Sequence, residues 1–146
     1  MRDFIEISRP FEAVAPRLVR DAAWLDPIAH DAVREAVATL AALRPDQPAQ
    51  AALPPVSVRC TRGPVRLRAD ALVMAMRWET NLPSTVVPGV NGDLEVVPLG
   101  RERSQIALNA NAGASSIDGE GITCRVVESG LRVFLRQLAA RLERPA

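Results

Sequence analysis

The sequence predicts an α+β fold, with helices covering one face of a curved antiparallel sheet. Three observations carry this expectation. A short β-like segment at the start is followed by two helical ones; from Val56 to about Ala110 apolar residues recur with a period of two, broken by turn signals; and the chain closes on one long apolar stripe at helical spacing. Strands that follow one another without intervening helices cannot form parallel βαβ units, so the sheet must be antiparallel and the helices must pack on it.

The elements follow in order. DFIEIS, residues 3–8, is rich in β-formers and closed by Arg9-Pro10, where the ladder loses a donor. Pro16 suits the first position of a helix, so a short helix is expected to start near it, with Leu18, Val19, Ala22 and Leu25 facing inward. A second helix follows, with Asp26 as N-cap, Pro27 at its first position, and Ala29, Val33, Val37 and Leu40 at helical spacing as far as Leu43. Residues 44–55, RPDQPAQAALPP, hold four prolines and no period, which marks a surface loop.

Val56, Val58 and Cys60 then alternate with polar residues, Gly63-Pro64 turns or bulges the chain, and Val65 and Leu67 lead to a turn near Ala69-Asp70. ALVMAMRWET, residues 71–80, sends Leu72, Met74, Met76 and Trp78 to one face and Ala71, Val73, Ala75, Arg77 and Glu79 to the other. Asn91-Gly92 between TVVPGV and DLEVV is the strongest short hairpin signal, and Pro88 marks the preceding strand as short or at an edge. LGRERS, residues 99–104, makes another turn before a last strand carrying Ile106, Leu108 and Ala110. After the small-residue loop, Val127, Leu131, Phe134, Leu138 and Leu142 form one stripe of a long helix that Asp118 or Ser116 could cap. Arg125, Glu128, Arg132, Arg136 and Arg141 cover its opposite side.

Composition removes several functions. At 146 residues and 48% hydrophobic, the chain fits a single domain over 1–146 with a core of its own. Eighteen basic residues against 17 acidic give a net charge of +1, too little field to attract nucleic acid. All the basic residues are Arg, scattered without a run, and with the many alanines they suggest a GC-rich bacterial genome. Cys60 and Cys124 lie far apart and only His30 could join them, so no metal site is expected, and both cysteines read as small buried residues of a reducing compartment. The charged start and the lack of a long apolar run predict a soluble cytoplasmic protein with no membrane insertion.

MRWET at 76–80, VPGVNGDLEVVPLG at 87–100 and LRVFLRQLAARL at 131–142 resemble the strand, hairpin and closing-helix segments of small bacterial members of the START/Bet v 1-like superfamily, also called the SRPBCC or polyketide cyclase/dehydrase-like group. The resemblance is spread over most of the chain. It implies a helix-grip fold, in which the sheet wraps against the long C-terminal helix around an apolar cavity, and binding of a hydrophobic or amphipathic small molecule, with enzymatic activity in only some relatives. The chain departs from that pattern at NAGASSIDGEG, residues 111–121, where such proteins often carry an aromatic and a proline-rich loop. That shortening would change the mouth of a cavity.

The expected ligand wall takes the inward faces together: Leu72, Met74, Met76 and Trp78, then Leu94, Val96, Ile106 and Leu108, then Val127, Leu131 and Phe134 of the last helix. The same residues would also fill a solid core. A Met or aromatic stripe is more often core, whereas methionine also suits surfaces that repack around varied ligands, so both readings stay open. Arg62 continues the parity of Val58 and Cys60 and could meet a ligand carboxylate at the rim, or snorkel to solvent. Asn109, Asn111, Ser115 and Ser116 could add polar contacts near the mouth. A single His on an exposed helical turn and the absence of Tyr leave no catalytic group to name, and Glu79, Asp93 and Glu95 face outward unless a bulge turns them. Binding of a hydrophobic small molecule without a cofactor is therefore the first expectation. A polyketide cyclase- or dehydrase-type enzyme is the second, and a filled-core domain acting through protein contacts or as a homodimer is the third.

Overall fold

A computed structural model describes residues 2–20, 23–43, 56–82, 87, 89–112 and 120–145. The first strand, β1 (Arg2–Ile7), turns Arg2, Phe4 and Glu6 to solvent and Asp3, Ile5 and Ile7 inward, as its alternation requires. The next helix, α1 (Phe11–Arg20), begins five residues before the expected Pro16. The carbonyl of Pro10 accepts the N–H groups of Ala13 (3.0 Å) and Val14 (3.2 Å), so the first turn closes there and Pro16 lies within the helix. Pro16 is exposed, as is Glu12, whose carbonyl loses its intrahelical donor to the proline ring. Val14 and Leu18 form the buried stripe of α1, whereas Val19 is exposed, contrary to expectation. Leu25 is buried but opens the next helix instead, and Ala22 lies outside the described residues.

That helix, α2 (Leu25–Leu43), is longer than a short connector at 19 residues. Asp26 is not its cap: its carboxylate accepts the backbone N–H of Cys60 at 3.2 Å and ties α2 to the sheet. The expected loop at 44–55 lies outside the described residues, as do Ser116 and Asp118.

Four more strands complete an antiparallel sheet of order β1-β5-β4-β3-β2: β2 (Val58–Arg68), β3 (Ala71–Thr80), β4 (Val90–Pro98) and β5 (Ser104–Ala112). The Gly63-Pro64 irregularity is a bulge within β2, since pairing jumps from Arg62↔Met76 to Val65↔Met74. Ala69 and Asp70 make the tight turn to β3, with Ala69 at φ 50°. The expected turn at Asn91-Gly92 is absent. Both residues lie inside β4, paired to Arg77 and Met76 on one side and to Asn111 and Ala110 on the other. Glycine is needed there for closeness, because a Cβ on Gly92 would meet the Asn109 carbonyl oxygen at 2.7 Å.

The last helix, α3 (Glu120–Glu143), packs on α2 and on the β1 and β5 side of the sheet. Its stripe of Val127, Leu131, Phe134, Leu138 and Leu142 is buried as expected. Together these elements form a helix-grip arrangement. Two arginines close the C-terminus of α3. Arg17 of α1 donates to the carbonyls of Leu142 (3.1 Å), Arg144 (2.7 Å) and Arg141 (3.1 Å), and Arg9 donates to that of Glu143 at 3.1 Å. Among the described residues no helix is long and apolar enough to cross a membrane.

Candidate functional site

Cross-strand pairing stacks the inward residues in ranks: Leu72 beside Val96 and Val96 beside Ile106, Met74 beside Leu94 and Leu94 beside Leu108, and Trp78 beside Val90. The stripe of α3 lies over them. Every apolar residue of the expected wall is at most 8% exposed. Trp78 and Phe134 meet edge to face, with ring centroids 5.2 Å apart and planes at 87°.

A narrow apolar cleft of about 40 Å³ lies between α2, α3 and the sheet. Of the expected wall, only Trp78, Val127, Leu131 and Phe134 line it. Leu72, Met74, Met76, Leu94, Val96, Ile106 and Leu108 do not line it and are buried members of the main apolar cluster. The rest of the lining comes from residues that periodicity did not single out as a wall: Ala29, Ala32, Val33 and Ala36 of α2, Val126 and Gly130 of α3, and Thr80, Val87 and Val90 at the end of the sheet. The run of small residues on α2, repeated every three to four positions, was the available signal. It belongs to a seam, since a Cβ on Gly130 would stand 2.9 Å from the Ala32 carbonyl oxygen.

One polar atom in this wall is unmatched. The indole N–H of Trp78 is buried and has no hydrogen-bond partner among the described residues. A buried donor without an acceptor costs about 1–3 kcal/mol, so it marks a place where an acceptor is wanted.

Arg62 is not at the rim of the cleft. Its guanidinium donates to the carbonyls of Leu18 (2.5 Å) and Val19 (2.8 Å) and closes the C-terminus of α1. Helix-end carbonyls, which sequence parity does not reveal, outcompete solvent for it. Neighbouring Cys60 is buried, and its thiol is pushed up from an ordinary 9.0 to about 12, chiefly by burial, then by the Asp26 carboxylate, with Arg62 opposing. Cys124, by contrast, is exposed, which corrects the expectation that both cysteines are buried.

The polar candidates lie elsewhere. Asn109 and Asn111 are exposed on the outer sheet face, bordering an open hollow of about 460 Å³ with Thr61, Arg77, Asn91 and Asp93. Glu79 is outward as expected and pairs with Arg77 at 2.7 Å. His30 is half-buried on α2, and Ser115 and Ser116 lie outside the described residues. Among the described residues no group of three His, Cys, Asp or Glu could hold a metal ion.

No family model matches the chain, and no curated protein matches it. Among solved structures it is similar to a conserved protein from Geobacillus kaustophilus, with a TM-score of 0.55 and 11% identity, over 97% of this chain and 93% of that one. It also aligns with the Zhui aromatase/cyclase of a Streptomyces species, with a TM-score of 0.43 and 14% identity, over 99% of this chain and 93% of that one. At such identity the first likeness shows a shared fold: an antiparallel sheet closed by a C-terminal helix.

Proposed function

We propose that the chain binds a hydrophobic or amphipathic small molecule in the cleft between α2, α3 and the sheet. The observation that carries this reading is the unmatched N–H of Trp78 in a wall that is apolar but for Thr80: a ligand with one hydrogen-bond acceptor would satisfy it while its body replaces apolar contacts. Small-molecule pockets run to roughly 300 Å³ or more, so the cleft of about 40 Å³ must widen to admit such a ligand.

Binding has more support than catalysis. Besides Trp78, the only polar side chain on the described wall is Thr80, and among the described residues no carboxylate or guanidinium lines it to move a proton for a cyclase- or dehydrase-type reaction. The small volume favours a second reading, a filled-core domain that works through a protein partner.

A Trp24→Phe variant leaves Trp78 as the sole indole and reports on the cleft directly. Titration with anilinonaphthalene sulfonate, fatty acids and polycyclic phenols is expected to give a saturable change in its emission. In the wild-type background, Trp78→Phe should weaken an acceptor-bearing ligand by about two- to tenfold, the loss of one hydrogen bond, as read by native mass spectrometry. No saturable change and no adduct across the panel would leave the filled-core reading standing.

A further inference from the structure

The two halves of β2 differ in what covers them. Up to the bulge its outer edge is occupied: Asp26 takes the Cys60 N–H, and Arg62 is bound to α1. Beyond the bulge, residues 63–68 are exposed throughout, and β2 is the last strand of the sheet. Val65 and Leu67 have the inward parity, opposite Met74 and Leu72, yet they are 39% and 74% exposed.

A two-residue turn closes on a hydrogen-bonded pair, here Arg68↔Ala71. Alternation then makes Arg66↔Val73 the next bonded pair and turns the N–H and C=O groups of Val65 and Leu67 to the open edge. Two apolar side chains on one face, two guanidiniums on the other and free backbone groups between them describe a half-made strand pair. Arg68 has no ion-pair partner among the described residues, and Arg66 has only a loose contact with Asp93 at 3.9 Å.

We propose that the free edge of β2 over Val65–Arg68 docks an extended segment of another protein in which acidic residues alternate with apolar ones. The incoming backbone pairs with Val65 and Leu67, its apolar side chains cover theirs, and its carboxylates lie against Arg66 and Arg68. Charge selects this occupant over a second copy: self-pairing at this edge sets Arg against Arg, which is unfavourable for directly opposed residues. The proposal stands independently of the cleft.

Fluorescence anisotropy with the full chain and a short fluorescein-labelled peptide alternating Glu and Val tests it. Saturable binding is expected, weakened by added salt, with none for the Lys/Val counterpart. Arg66→Glu with Arg68→Glu should weaken it by about tenfold or more. Leu67→Pro should also weaken it, because it removes an edge donor that the chain's own sheet does not use; circular dichroism verifies that both variants fold. Absence of binding, equal binding by polyglutamate, or indifference to both variants would overturn the proposal. A wild-type dimer in light scattering that Leu67→Pro dissolves would overturn it as well, by showing that the edge pairs with its own copy.

Discussion

Cys60 shows how one buried residue sets a pH dependence. Its thiol ionises at about 12 in the folded chain, whereas the unfolded chain leaves it at its ordinary 9.0. The folded pKa is the higher one, so the contribution of this site is complete below about pH 8.5 and is lost as pH rises between the two values, by up to about 1.4 kcal/mol per pH unit. Cys60→Ala removes that slope and leaves a small cavity. Urea denaturation should therefore show the variant less stable by about 1 kcal/mol at pH 7, with the gap narrowing by on the order of 1–2 kcal/mol at pH 10. A gap that stays constant would mean the thiol ionises normally. The same difference in environment predicts that a thiol reagent at pH 8 modifies Cys124 alone until the chain is denatured. That Cys60 is inward was legible from its alternation with Arg59 and Thr61; that Asp26 and Arg62 converge on it was not, because α1 and α2 meet β2 only through the tertiary fold.

At the scale of elements, the seam between α2 and α3 makes the sharpest prediction. Gly130 lies in the middle of α3, where alanine would favour the helix by about 1 kcal/mol. Its Cβ, however, would meet the Ala32 carbonyl oxygen at 2.9 Å and the Ala36 methyl at 3.4 Å, and a backbone oxygen moves only if the whole helix moves. Overpacking of this kind costs about 1–3 kcal/mol, so Gly130→Ala should lower stability despite its better propensity. A raised melting temperature would show that the helices separate freely there. Gly92 teaches the same lesson about reading glycines. Asn-Gly next to alternating residues is indistinguishable locally from a turn, and what makes Gly92 a strand residue is the approach of Asn109 from β5, a contact seventeen positions away. Likewise Pro16 looks like a helix start because the capping done by the Pro10 carbonyl depends on a backbone conformation, and no side-chain pattern records it. The long-period features were legible for the opposite reason. The stripe from Val127 to Leu142 and the alternation in β3 repeat often enough that local accidents cannot mask them. The cleft was only half legible, because the sheet and α3 supply its predictable side while α2 supplies the other through small residues that carry little hydrophobic signal.

For the whole molecule, the two ends of the chain are tied at one place. Ser8 and Arg9, just past β1, both bind Glu143, and Arg17 holds the last carbonyls of α3, so the N-terminal strand, the first helix and the C-terminus close on one another. If the chain is one cooperative domain, that closure and the core at Trp78 must unfold together. The two tryptophans separate these regions. Trp24 lies at the start of α2 with the Arg141 guanidinium 5.8 Å from its ring, and Trp78 lies in the core against Phe134. Denaturation of Trp24→Phe and Trp78→Phe, each followed by its remaining indole and by circular dichroism, should give coincident fluorescence and dichroism curves within each variant. Arg17→Ala strips three carbonyls of a shared charged donor and should destabilise the chain by about 1–3 kcal/mol. In a single domain it does so in both backgrounds alike, because capping α3 stabilises everything the helix covers. An early Trp24 transition, with Trp78 unaffected by Arg17→Ala, would instead mean that the C-terminal turns of α3 fray on their own and that the Arg17 contacts hold an end without holding the fold.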